Sequence, residues 1–162
     1  YQLSIINYQL LMRELSNFIF TVLGIIFRHP VTGATIIPIL PDGKIVLVRR
    51  KDTGEWGLPG GIIEWGEEVS TTAKRELWEE TGLELIAIQR LVGVYSKRDR
   101  DPRLHSISIS LAADVAGELQ VKDDLEIAEA SAFSPDTLPF GNLAHDHERQ
   151  LQDFLAGKTA IA

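Results

Sequence analysis

The chain has 162 residues, 44% hydrophobic and 24% charged, the proportions of an ordinary globular domain with a core of its own. Its 16 Lys and Arg against 23 Asp and Glu leave a net charge of −7, which argues against nucleic acid as a partner. There is no cysteine; disulfides and thiolate metal sites are excluded, and a reducing cytoplasm fits.

Residues 1–30 read as an apolar N-terminal extension ahead of a domain over 31–162. Met12, the only methionine, is a candidate natural start. Residues 18–27, FIFTVLGIIF, are strongly apolar but fall short of the about 20 residues a bilayer span needs. Extending them backward takes in Arg13 and Glu14, and Arg28-His29-Pro30 offers no small-residue cleavage site. Ile19, Val22, Leu23 and Ile26 share a helical spacing behind Asn17 as cap. The stretch is expected to pack on its own domain or on the second subunit of a homodimer, with a membrane-surface role as the alternative.

Residues 35–40 and 44–50 predict a β-hairpin around Pro41-Asp42-Gly43, where Pro presets φ and Gly accepts a positive one. Ile45 to Val48 form an unbroken apolar run, expected to be buried on both faces. Arg49, Arg50 and Lys51 end it, and Arg49 is taken as a candidate phosphate contact.

Trp56-Gly57-Leu58-Pro59-Gly60-Gly61 follows, and its paired glycines let backbone approach a ligand. Residues 67–81 contain no Gly or Pro and predict a helix, with Gly82 as its stop. Glu76, Glu79 and Glu80 then stand at i, i+3 and i+4 on one face, about 5–6 Å apart at Cβ, beside Ala73 and Leu77, which can dock on a core. The acids repel one another and sit at the helix end whose dipole disfavours them by about 0.3–1 kcal/mol each. Arg75 pairs with Glu79 at i+4, but one cation does not balance the cluster. The bland alternative is a solvated acidic face. A divalent ion would balance the charge, and oxygen-only ligands favour Mg²⁺, with Mn²⁺ as substitute.

Gly61, Glu67, Arg75, Glu76, Leu77, Glu79, Glu80, Gly82 and Leu83 fill every fixed position of G-x5-E-x7-R-E-U-x-E-E-x-G-U, where U is aliphatic. Residues 61–83 thus resemble the Nudix box. The resemblance implies an α/β (α+β type) fold: the Nudix α/β/α sandwich, with a mixed central sheet and the box as loop-helix-loop. It implies metal binding by Glu76, Glu79 and Glu80 with a backbone carbonyl near Gly60, and substrate against Gly61. Glu79 or Glu80 would orient or deprotonate the water, Arg75 would hold a glutamate in place, and Glu67 would support the loop or a second ion. Some members carry the base on a downstream loop, for which Glu126 and Glu129 are the candidates here.

Beyond the box, residues 85–95 and 106–115 read as strands around a charged loop, 96–105. Residues 117–124 read as a turn and short strand, 132–133 as a last short strand, and 142–156 as a C-terminal helix with Leu143, Leu151, Phe154 and Leu155 as core candidates. The segment GVYSKRDRDPRLHSIS resembles the loop of ADP-ribose pyrophosphatase-like Nudix members, making Arg98 and Arg103, with Arg100 between them, candidate substrate contacts. Leu143-Ala144-His145-Asp146-His147 resembles their LAFDH segment, with His145 at the usual Phe. His105, His145 and His147 lack zinc-site spacing and read as surface or packing histidines. Trp56, Trp65 and Tyr95 are the aromatics nearest the motif.

The implied function is metal-dependent hydrolysis of the pyrophosphate bond of a nucleoside diphosphate linked to another moiety, with ADP-ribose yielding AMP and ribose 5-phosphate. The alternatives are removal of damaged nucleoside triphosphates and a non-catalytic nucleotide-sensing domain. The expected partner is a small nucleotide, not nucleic acid or membrane.

Overall fold

In the computed structural model, which describes residues 16–19, 21, 29–101, 104–123 and 125–162, the apolar run ahead of the Pro41-Asp42-Gly43 turn becomes the central strand of a mixed sheet. The chain divides into two units, Tyr1–Pro30 and Val31–Ala162. In the first, residues 16–19 and 21 are helical, and Thr21 Oγ1 donates to the Asn17 carbonyl at 2.8 Å. Phe18 and Ile19 are exposed; most of the apolar stretch 18–27 lies outside the described residues. Among the described residues no helix is long and apolar enough to cross a membrane.

In the second unit, β1 (Val31–Ile39) runs parallel to β6 (Ser106–Ala116) along its whole length, from Val31 opposite Ser106 to Ile39 opposite Asp114. The other edge of β1 is shared. Its first half takes β4 (Gly60–Ile62), and its end takes β2 (Ile45–Arg50) through Ile39 opposite Ile45. Leaving β1, β2 pairs with β3 (Trp56–Gly57) on one edge and β7 (Ile127–Phe133) on the other. On the far side β5 (Glu84–Tyr95) is antiparallel to β6, and β8 (Ala160–Ile161) adds in parallel to β5.

Strand parity sorts the core into two layers, because successive side chains point to opposite faces. Ile36 and Val46 pack with Ala73 and Leu77 of helix α1 (Val69–Thr81). Their neighbours Ile37 and Leu47 pack with Leu151 and Phe154 of helix α2 (His147–Leu155). The result is the expected α/β/α sandwich, and Ile45 to Val48 are buried on both faces as anticipated. Leu77 is fully buried under α1, so Leu77→Ala is expected to cost about 2–5 kcal/mol.

Several expectations from the sequence are corrected. The glycine stretch 56–61 holds two short strands, β3 and β4. Residues 117–123 form no strand; their amides cap α1 instead. Gln120 N–H donates to the Thr81 carbonyl at 2.8 Å, and Lys122 and Asp123 N–H donate to that of Glu79 at 2.9 and 2.8 Å. The last long strand begins at Ile127, well before residue 132. Helix α2 begins at His147, because residues 142–144 run beside β3, bridged at Trp56–Leu143, and 145–146 turn into the helix. Leu151 is buried and Leu143 and Phe154 partly so, but Leu155 is exposed.

Candidate active site

Helix α1 presents the acids, and its ends show that it does not do so for its own stability. Glu68 caps it without a side-chain hydrogen bond, and no base lies in the last turn, where a cation would favour the dipole. Gly82, at φ 73°, closes the helix with its N–H on the Trp78 carbonyl. Loop 120–123 covers the Glu79 and Thr81 carbonyls, and Lys122 Nζ sits 4.8 Å from the Trp78 ring.

Arg75 organises the carboxylates. It donates from Nε and Nη2 to the two oxygens of Glu67, both at 3.0 Å. Its Nη1 reaches Glu76 at 2.7 Å and Glu79 at 3.4 Å, and Nη2 reaches the Ile62 carbonyl at 3.3 Å. Glu67 also accepts from Thr72 Oγ1 at 2.8 Å and from Glu64 N–H at 3.1 Å. The Arg75 bonds, then that of Thr72, lower its carboxyl to about 2. Glu67 is therefore a fixed anchor for Arg75.

Glu80 is nearly sealed, at 7% exposed, and accepts from Gly60 N–H at 2.9 Å. Burial pushes its carboxyl up to about 8; the Gly60 bond opposes this, and the nearby charges of Glu76 and Glu126 add to it. Burial also raises Glu76 against the pull of Arg75. A Cβ at Gly61 would run into the Glu76 carboxylate and displace it.

These groups open onto a cavity of about 720 Å³. One wall carries Gly60, Gly61, Glu76, Glu79 and Glu80; Arg50, Asp123 and Glu126 also line it; and Arg100, Asp101, Ser106, Ser108, His145 and His147 come from the 96–108 region and the start of α2. Glu67, Arg75, Glu76, Glu79, Glu80, Gly60 and Gly61 are thus brought together.

Other candidates fall elsewhere. Arg49 does not line the cavity: its Nη1 pairs with Glu129 at 3.4 Å and its Nε bonds the Gly54 carbonyl at 3.2 Å. Arg50, the next residue, lines the cavity and its charge acts on Glu80. Parity could have found it, because Val46, Val48 and Arg50 share the strand face on which Val46 meets α1. Glu129 is occupied with Arg49, so of the two downstream acids Glu126 is the one that reaches the cavity. Arg98 is exposed and off the cavity lining, and Arg103 lies outside the described residues. None of the three aromatics lines the cavity. Trp56 packs edge-on against Phe133, with ring centroids 4.9 Å apart. Trp65 is fully exposed, and Tyr95 donates from its hydroxyl to Asp153 at 3.2 Å.

The fold and site define a sandwich whose glycine loop and acidic helix form one wall of a nucleotide-sized cleft. The chain belongs to the Nudix family of hydrolases: residues 29–154 match the NUDIX domain. It is 43% identical over 137 residues to an ADP-ribose pyrophosphatase of Methanocaldococcus jannaschii, covering 82% of this chain and 78% of the relative. It is 33% identical over 125 residues to a putative 8-oxo-dGTP diphosphatase of Bacillus subtilis, covering 77% and 80%. Among solved structures it resembles an ADP-ribose pyrophosphatase from Streptococcus suis, with a TM-score of 0.67 and 28% identity, over 83% of this chain and 100% of that one.

Nudix hydrolases depend on a divalent metal, and the residues here fit one. The donors are all oxygens, which suits a hard cation, and burial raises two of the carboxyls, a cost that a bound cation would offset. Among the described residues no three His, Asp or Glu side chains are arranged to hold a metal ion as they stand; Arg75 instead holds one oxygen each of Glu76 and Glu79.

Proposed function

We propose that this Nudix hydrolase splits ADP-ribose at its pyrophosphate bond to give AMP and ribose 5-phosphate, with Mg²⁺ as the resident ion and Mn²⁺ as its substitute. The observation carrying this reading is the convergence of Glu76, Glu79 and Glu80 with the Gly60–Gly61 backbone on one cavity wall, in a chain 43% identical to an ADP-ribose pyrophosphatase.

Glu76, Glu79 and Glu80, with the Gly60 carbonyl beside them, would hold the ion. Once bound, it supplies neutralisation of charge on the phosphate oxygens and acidification of water. Gly61 gives the diphosphate room to approach. Arg75, locked by Glu67, keeps Glu76 and Glu79 aimed at the cavity. A water oxygen forms a bond to one phosphorus; the P–O bond to the bridging oxygen breaks, and its electron pair leaves with the other phosphate. The water proton passes to a cavity-facing carboxylate, Glu79 or Glu126. Positioning and electrostatics carry such a reaction more than covalent chemistry does. The enzyme would act in the cytoplasm on a small nucleotide, without nucleic acid or membrane, and a homodimer partner would cover residues 18–27.

The second reading is hydrolysis of a damaged nucleoside triphosphate, supported by the 33% identity to a putative 8-oxo-dGTP diphosphatase. The test is kcat/KM with Mg²⁺ for ADP-ribose against normal and oxidised triphosphates. ADP-ribose is expected to win. A triphosphate preferred by tenfold, about 1.4 kcal/mol of transition-state stabilisation, would overturn the substrate assignment and leave the family membership intact.

A further inference from the structure

Two adjacent residues at the start of α2 touch both walls of the cleft. His147 reaches the glycine-loop wall: its Nδ1 accepts from Leu58 N–H at 3.0 Å. His147 and Leu58 are both buried, so without this acceptor the Leu58 donor would be stranded away from water. Gly57 makes room for the ring, since a Cβ there would stand 3.0 Å from Nδ1. Two residues further on, Gly60 N–H holds Glu80 at 2.9 Å. Segment 142–144 reinforces the tie upstream: Trp56 N–H donates to the Asn142 carbonyl at 3.1 Å, and Ala144 N–H to that of Trp56 at 2.7 Å.

Asp146 reaches the opposite wall. It receives a two-pronged bond from Arg100, Nε at 3.0 Å and Nη2 at 2.8 Å. The Arg100 side chain is 7% exposed, and its remaining arm, Nη1, donates to Ser106 Oγ. Gln150 Nε2 adds a bond to Asp146 at 3.0 Å. Gln150 Oε1 accepts from Thr35 at 2.7 Å, and Thr35 lies 3.1 Å from Ser108 Oγ. Nε, Nη1 and Nη2 of Arg100 all have protein partners, so Arg100 sets where Asp101, Ser106 and Ser108 stand on the cavity wall.

We infer that Asp146 and His147 are positioning residues that set the separation and register of the two cleft walls, His147 acting through Leu58 and Gly60 on Glu80, and Asp146 acting through Arg100 on the substrate-facing loop. The inference rests on the cavity being the active site, and not on which nucleotide fills it. The two residues act on different walls, so their effects separate. Loosening the loop weakens holding of the substrate. Shifting the glycine loop misaligns the Glu80 wall, where a displacement of about 1 Å is enough for an about 100-fold loss of rate.

The experiment compares Asp146→Asn, Asp146→Ala, His147→Asn and His147→Ala in the full chain, by backbone amide exchange and by kinetics on whichever nucleotide the wild type turns over best. His147→Ala is expected to lose protection at the Leu58 and Gly60 amides and to lower kcat about 100-fold, while His147→Asn, which keeps an acceptor, recovers part of both. Asp146→Ala is expected to raise KM about tenfold or more with kcat nearly kept, as loss of a binding contact does, while Asp146→Asn lies between. Unchanged exchange at Leu58 in a folded His147→Ala, or the same KM and kcat pattern from both positions, overturns the inference. If His147→Ala does not fold, His147→Asn and the Asp146 pair decide it by the same split. The exchange readout needs no substrate, so a failure of the ADP-ribose assignment leaves it standing.

Discussion

Replacing Glu80 by Gln should stabilise the metal-free protein while abolishing its activity. In the folded chain burial lifts the Glu80 carboxyl to about 8, from its ordinary 4.5. Between those two values the folded state binds more protons than the unfolded, so stability falls as pH rises, by about 1.4 kcal/mol per unit, and levels off above 8. At pH 7 the ceiling on this cost is about 3 kcal/mol, which relaxation and water entry at the cavity reduce. Gln keeps a carbonyl oxygen for Gly60 N–H and carries no charge. For a domain of this size, each kcal/mol moves the melting temperature by about 3–5 °C. The assay is thermal unfolding in EDTA at pH 5.5, 7 and 8 for wild type and Glu80→Gln, followed by Mg²⁺ titration. The variant should melt higher by a margin that grows with pH, and Mg²⁺ should stabilise the wild type more. A variant equal to wild type at all three pH values, or one equally stabilised by Mg²⁺, would refute the reasoning.

EDTA should abolish turnover and Mg²⁺ or Mn²⁺ restore it; full activity in EDTA would remove the metal from the mechanism. Glu79→Gln should lower kcat by about 100-fold or more with little change in melting temperature, and a variant with near wild-type kcat would exclude this carboxylate. His147, lowered to about 3 chiefly by burial, stays neutral when folded. The unfolded state therefore takes the extra proton below about 6.5, and stability should drop by about 1.4 kcal/mol per unit on acidification, a slope that His147→Asn should lessen in acid unfolding curves. Deleting residues 1–27 should cause association or insolubility, and a deletion that remains fully active with unchanged sizing behaviour would argue against a covered apolar stretch.

What the sequence made legible is local. The i, i+3, i+4 spacing of Glu76, Glu79 and Glu80 and the Gly82 stop predict α1 and its acidic face from neighbouring residues alone, and Pro41-Asp42-Gly43 does the same for the hairpin. What it hid depends on distant partners. Strands β3 and β4 are two and three residues long and exist because β2 and β1 offer edges to them. Ile127–Phe133, IAEASAF, alternates only Ala with Glu and Ser, residues of low β-propensity, and becomes a strand by pairing with β2. The 117–123 stretch has its amides drawn to α1 carbonyls, which no local pattern records. The choice between Arg49 and Arg50 is one of parity, decided once the face covered by α1 is known. His147 read as a packing histidine because its partner, Leu58, is 89 residues away.

The metal wall cannot by itself choose the substrate, because every Nudix-box position it uses is filled and relatives of this chain carry names for different nucleotides. Charge in the rest of the cavity can. Among the described residues, the acids lining it are Glu64, Glu76, Glu79, Glu80, Asp101, Asp123 and Glu126, against Arg50, Arg75 and Arg100. All three are already committed, Arg50 to Asp52, Arg75 to Glu67 with Glu76, and Arg100 to Asp146. One divalent ion lessens this negative excess without reversing it. A triphosphate brings more negative charge into such a field than a diphosphate ester whose far end is an uncharged sugar, so repulsion favours the ester. Exposed charges are screened over about 10 Å at 0.1 M salt, so the preference for ADP-ribose over triphosphates should narrow as ionic strength rises. A ratio of kcat/KM values that holds constant from low to high salt would mean that shape, and not charge, makes the selection.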